Sequence, residues 1–127
     1  RQILAGKSMS VNSVDPPFYS SAIAGGILPV AVGLAMGIKR KGENRKVFCF
    51  VGDMTSQMGI FYETAIYSRN FELPITFVIE SNKRSVQTPT EEAWGALESF
   101  QEYFPDILWY DYELTWPHHG TGVYVAF

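Results

Sequence analysis

Two short runs dominate the hydrophobic pattern of this chain. Residues 47–51 read Val-Phe-Cys-Phe-Val and residues 75–79 read Ile-Thr-Phe-Val-Ile. Both are β-branched and aromatic and are bounded by polar residues, the signature of a buried strand. Between them, residues 58–71 carry Phe61, Ala65, Ile66 and Tyr67 at spacings that predict a helix, and Leu73-Pro74 ends it. Upstream, residues 24–41 predict another helix, with Pro29 near its start or at a kink and Gly42 as its stop. Strand, helix and buried strand in this order form a βαβ unit. That implies a mostly parallel sheet with helices on both faces, an α/β three-layer fold with a right-handed crossover. Residues 1–22 hold Pro16-Pro17 among Ser, Asn and Gly and read as loop or extended chain. Beyond the second strand the expectations are a helix over 91–103 and strands over 107–112 and 122–127.

The first helix is unusually rich in small residues: Ala24, Gly25, Gly26, Ala31, Gly33, Ala35 and Gly37. Each glycine weakens an isolated helix by about 1 kcal/mol relative to alanine. Close approach of another backbone or a ligand explains that cost, and so does dense packing within one core.

Composition narrows the function classes. The 127 residues suit one domain spanning 1–127; 46% apolar and 18% charged residues are those of a folded globular chain. A net charge of −3 argues against nucleic acid, whose binders present basic patches. The densest basic stretch, Lys39, Arg40, Lys41, Arg45 and Lys46, reads as a solvated helix end and turn. The single cysteine, Cys49, excludes a disulfide within the chain and reads as a small buried apolar residue, which fits a reducing, cytoplasmic setting. No signal-peptide pattern opens the chain, and the apolar run 23–38 is too short and too glycine-rich to span a bilayer. The chain begins with Arg1 rather than Met, so missing N-terminal elements are expected.

Candidate chemistry sits at the strand ends. In an open parallel sheet, ligands bind beyond the carboxyl ends of the strands. Asp53 follows the first strand and Asn82 the second. One carboxylate and one amide oxygen are hard ligands suited to Mg²⁺ or Ca²⁺, and Mg²⁺ completes its shell with phosphate oxygens and water. The loop after Asp53 enters a helix whose free N–H groups can accept phosphate oxygens. Taken singly, each residue is equally a turn Asp or a turn Asn.

Together they resemble a family. Val51-Gly52-Asp53, an intervening helix, Leu73-Pro74, an apolar strand and Glu80-Ser81-Asn82 are similar to the Gly-Asp-Gly…Asn-Asn motif of thiamine diphosphate (ThDP) enzymes. The spacing from Asp53 to Asn82 is the one at which that family places its two metal ligands. The likeness is greatest to alpha-type subunits of 2-oxo-acid dehydrogenase decarboxylase components, with transketolase-like enzymes further off. Gly59, Glu63 and Glu80 fall in register, Gly6-Lys7-Ser8-Met9 resembles a Gly-Gly-Ser-Met stretch, and Ala24-Gly25-Gly26-Ile27-Leu28-Pro29 resembles the segment that opens the small-residue helix. The resemblance runs from about Gly6 to about Pro89. It implies ThDP and Mg²⁺ as cofactors, with Asp53, Asn82 and the main-chain carbonyl of Arg84 on the metal. It also implies Gly52 and the N–H groups of Met54 and Thr55 at the diphosphate, and backbone around Ala22 and Ala24 facing the aminopyrimidine. Three positions depart from the pattern: Met54 stands for the third glycine, Ser10 for a customary histidine, and Ser81 for a second asparagine.

The family's activating glutamate comes from a partner, and nothing in this chain matches that partner. The resemblance therefore implies a beta-type, pyrimidine-domain subunit, a homo- or hetero-oligomer, and a 2-oxo acid or ketose substrate. The alternative is a catalytically degenerate subunit that keeps the ThDP fold for binding or structure. A flavodoxin-like phosphotransfer domain would need a second acidic cluster, and a dinucleotide dehydrogenase a G-x-G-x-x-G turn; neither is present. His118-His119 reads as an edge-packing tail rather than an acid–base pair, and Trp94, Trp109 and Trp116 as core and interface. Lys83 and Arg84 suit either a diphosphate or an ordinary exposed loop.

Overall fold

A computed structural model describes all residues except Ile3, Ser8, Met9, 96–99 and 115–127. The elements run β1 (Asn12–Ser13), β2 (Phe18–Tyr19), α1 (Ile27–Arg40), β3 (Val47–Gly52), α2 (Asp53–Ser56), α3 (Gly59–Asn70), β4 (Ile75–Ser81), β5 (Arg84–Ser85), β6 (Thr88–Pro89), α4 (Thr90–Trp94), α5 (Phe100–Tyr103) and β7 (Leu108–Asp111). The main sheet is wholly parallel in the order β3-β4-β7. Two small antiparallel pairs, β1-β2 and β5-β6, accompany it. The class is α/β, as expected.

Alternation along β3 sets the layers. Cys49 and Val51 are buried, whereas Phe48 and Phe50 on the other face are more than half exposed. Cys49, Val51, Phe77 and Ile79 share one core with Leu28, Ala31 and Val32 of α1 and Phe61 and Ala65 of α3. Both long helices thus cover the same sheet face. The opposite face carries Phe48 and Phe50.

The helix ends have local causes. Pro29 is the third residue of α1, where its missing N–H would have had no partner in any case, so it starts the helix rather than kinking it. Both α1 and α3 close in the same way. Glu43 N–H reaches Ile38 O and Gly42 N–H reaches Lys39 O, with Gly42 at φ 65°. Leu73 N–H reaches Ser68 O and Glu72 N–H reaches Arg69 O, with Glu72 at φ 46°. These are Schellman closures; the second places a glutamate where glycine is favoured. Lys39 then ties the two ends together, its Nζ donating to Phe71 O at 2.6 Å and Glu72 O at 3.2 Å. The basic stretch is therefore partly a structural clasp.

The expected helix over 91–103 is a correction. It is two short helices, α4 and α5, and Gly95 at φ 75° ends the first. An L residue at that φ is strained and glycine is not, so the chain turns there. The strand expected over 107–112 is β7, and that expected over 122–127 lies outside the described residues.

Gly25 shows what the small residues before α1 do. It is buried at φ 75°, and a Cβ there would lie 3.0 Å from Ile60 Cγ2 and 3.4 Å from Met58 Cε. The entry to α1 is thereby seated on the start of α3. Gly33 and Gly37 have no such neighbour. Gly25→Ala is expected to cost about 1–3 kcal/mol through left-handed strain and overlap with Ile60. A urea titration showing an unchanged midpoint would contradict this.

Candidate functional site at the carboxyl edge of the sheet

The site is built where the sheet ends. β3 and β4 pair in register up to Gly52↔Glu80. Asp53 leaves β3 one residue past that pair, and Asn82 leaves β4 two residues past it. The two sequence-predicted ligands are thus delivered to neighbouring strand ends, at the edge where parallel sheets hold ligands.

Asp53 opens α2 and is fully buried. Its Oδ2 accepts a short hydrogen bond from Thr90 Oγ1, and Thr90 is fully buried too. Its Oδ1 is buried and has no hydrogen-bond partner. Burying half of a carboxylate without a partner costs several kcal/mol unless a cation or donor meets it. That orphaned oxygen is the strongest chemical feature of the edge. Ser56 Oγ donates to Asp53 O at 2.6 Å, which tightens the single turn of α2.

Asn82 is held from two sides. Its Nδ2 donates to Tyr112 Oη at 3.2 Å, and its Oδ1 accepts from Arg84 N–H at 3.0 Å. The amide is therefore oriented with its oxygen toward the start of β5. An amide oxygen has two lone pairs, so one stays available. Arg84 faces Pro89 across the β5-β6 ladder. Because Thr90 N–H bonds Lys83 O, the Arg84–Pro89 pair is a non-hydrogen-bonded pair of this ladder, and the Arg84 carbonyl is not used by β6. Lys83 at φ 60° makes the turn from β4 into β5, and Thr90 N–H returns to Lys83 O at 3.0 Å. The segment from Asn82 to Thr90 is a loop pinned at both ends beside Asp53.

The other sequence-predicted residues are placed as follows. Gly52 is extended at φ −71°, ψ 159°, and precedes α2. Met54 and Thr55 are half-buried in the first turn of α2, where N–H groups lack intrahelical partners. The Met54 backbone is helical, so the departure from glycine carries no strain. With four residues α2 has almost no dipole, and its N–H groups are its only asset for an anion. Ala22 and Ala24 are exposed in the loop before Gly25, which packs on the start of α3. Glu63 is exposed on α3. Glu80 accepts a short bond from the Tyr110 hydroxyl, and that bond, with burial and the charge of Glu80, raises the Tyr110 pKa. Trp109 is partly buried against the core and Trp94 is half exposed, while Trp116 and His118-His119 lie outside the described residues.

Sequence reasoning missed Thr90 and Tyr112, the residues that hold the two candidate ligands. Thr90 stands in a plain Thr-Pro-Thr-Glu stretch, and only its burial beside Asp53 reveals it. Among the described residues no cluster of three His, Cys, Asp or Glu side chains could hold a metal, so a zinc-type site has no support there.

Cys49 is buried on the core face, and desolvation pushes its thiol up to about 11 from an ordinary 9.0. Native chain at pH 8 is expected to show no fast reaction with a disulfide reagent, and one thiol on unfolding. The linkage follows in sign: the neutral thiol's contribution to stability is complete below pH 9.0 and is lost between 9.0 and about 11. A fast-reacting native thiol would contradict the burial.

Together, fold and edge define an α/β domain whose candidate site gathers hard oxygen atoms at the carboxyl end of a parallel sheet. The family model described as "Dehydrogenase E1 component" matches residues 5–102, most of the chain, and the chain belongs to that family. It is 30% identical over 105 residues to the mitochondrial pyruvate dehydrogenase E1 component subunit alpha of Saccharomyces cerevisiae, covering 80% of this chain and 25% of that protein. The same subunit from Rickettsia bellii is 34% identical over 84 residues, covering 65% of this chain and 26% of that protein. A solved structure from Mycobacterium smegmatis, assigned as a thiamin diphosphate-dependent enzyme, overlaps 46% of this chain and 11% of its own at 33% identity and TM-score 0.41; that overlap is too short to bear on the fold. The chain thus spans about a quarter of the length of the curated relatives it matches. Among the described residues no helix is long and apolar enough to cross a membrane.

Proposed function

We propose that this chain is the magnesium–diphosphate half of a ThDP site in an alpha-type 2-oxo-acid dehydrogenase component, folded as one domain over residues 1–127. The observation that carries the proposal is the buried, unpartnered Oδ1 of Asp53 beside the oriented amide of Asn82. These residues fit Mg²⁺: Asp53 and Asn82 would bind it by side chain and Arg84 by its carbonyl, a sparse set suited to a metal that keeps phosphate and water ligands. Gly52 and the N–H groups of Met54 and Thr55 would hold the diphosphate, and backbone at Ala22 and Ala24 would meet the aminopyrimidine. When bound, ThDP supplies a nucleophilic carbon and an electron sink next to a substrate carbonyl.

In the family this chain resembles, the carboxylate that activates the cofactor comes from a partner. The reading therefore includes a beta-type partner that brings the activating carboxylate, an oligomer holding both, and a 2-oxo acid as substrate. A cytoplasmic setting accords with the free, buried Cys49. A degenerate, non-catalytic subunit gains nothing from Met54, whose backbone is unstrained.

The test is thermal stability with ThDP, with and without Mg²⁺. Wild type should rise only when both are present, and Asp53→Ala should not. The chain alone should not turn over a 2-oxo acid. No rise in wild type, or an equal rise in Asp53→Ala, would sink the proposal.

A further inference from the structure

Thr90 is fully buried, yet its hydroxyl has one clear role: it donates to Asp53 Oδ2 across 37 positions of sequence. Asp53 has two carboxylate oxygens in the same buried place. One is bonded to Thr90 and the other has no partner. A carboxylate free to rotate about its last bond would share the donor between both oxygens. With Oδ2 taken, Oδ1 is the oxygen left for a cation.

Thr90 is itself fixed. Its N–H bonds Lys83 O, one residue past Asn82, and it opens α4 directly after β6. The loop that carries Asn82 and the Arg84 carbonyl is therefore the same one that carries the donor to Asp53. Resting on the metal reading above, we infer that Thr90 is a positioning residue. It locks the Asp53 carboxylate and registers the Asn82–Arg84 loop against it, so that ligands from two strand ends meet one ion.

Groups that orient metal ligands typically contribute 10–100-fold to metal affinity. The test uses Mn²⁺ as probe, its free fraction read by electron paramagnetic resonance, at saturating ThDP. Thr90→Val keeps shape and removes the donor, and it should weaken Mn²⁺ binding at least tenfold. Thr90→Ser keeps the hydroxyl and should stay within about threefold of wild type. If Thr90→Val does not fold, Thr90→Ser and Thr90→Ala, which differ by the hydroxyl alone, carry the comparison. Asp53→Asn separates the two ideas. Lost binding in Asp53→Asn with wild-type binding in Thr90→Val overturns the role of Thr90 and leaves the metal site standing. Full binding in Asp53→Asn overturns both.

Discussion

Asp53→Asn is expected to abolish the magnesium-dependent stabilisation by ThDP while leaving the ligand-free fold largely intact. A ligand that binds only the folded state contributes RT ln(1 + [L]/Kd), about 2.7 kcal/mol at a hundredfold excess. That increment should be present in wild type and absent from the variant. The ligand-free fold should survive because the new amide oxygen can still accept the Thr90 hydrogen bond. The substitution also removes a charge whose Oδ1 is buried without a partner, a state that costs rather than stabilises when no cation is bound. Asp53→Ala lacks the first compensation and strands the Thr90 hydroxyl, a loss of about 1–3 kcal/mol. The ordering without ligand is therefore Asn at or above wild type and Ala below it. With ThDP and Mg²⁺, wild type alone should rise. Differential scanning calorimetry of the three chains in both conditions checks the ordering. A magnesium-dependent rise retained in Asp53→Asn would place the ion elsewhere.

Residue chemistry made the centre of this fold legible and left its margins obscure. The strands over 47–51 and 75–79 and the helices beside them were readable because β-branched runs and helical spacing report burial directly. The placing of Asp53 and Asn82 at neighbouring strand ends was readable because strand ends fix position without any knowledge of side-chain packing. The sidedness of the sheet was not. Val-Phe-Cys-Phe-Val is apolar throughout, so nothing in it distinguishes the buried Cys49 and Val51 from the exposed Phe48 and Phe50. The β5-β6 hairpin was hidden because its two-residue loop, Val86-Gln87, lacks the Asn-Gly or Gly-X that announces such turns; Val86 takes φ 55° regardless. The break in the helix over 91–103 did have a signal in Gly95. Thr90 had none, since its partner lies on another element and the pairing exists only once the sheet has formed.

Phe61→Ala is expected to cost about 3–5 kcal/mol. Whole domains are stable by only about 5–15 kcal/mol, so much of that margin would go. Phe61 is fully buried and packs edge-on against Phe77 of β4, ring centroids 5.6 Å apart, and against Tyr62 at 6.4 Å. It belongs to the core shared by Leu28 and Val32 of α1 with Cys49 and Val51 of β3. Its place between both helices and the sheet puts the cost toward the upper end of the range. Phe50 is the internal control. It has the same side chain but is 54% exposed on the open face, so Phe50→Ala should cost under about 1 kcal/mol in the isolated chain. The effect should also reach the site. Phe61 N–H bonds Met58 O, and Met58 N–H bonds Thr55 O, so the first turn of α3 holds the one-turn helix that carries Asp53. Loosening α3 should therefore weaken Mg²⁺-dependent ThDP binding even where the folded fraction is restored by lower temperature. Equal urea midpoints for Phe61→Ala and Phe50→Ala would show that the helices do not anchor the sheet through this residue.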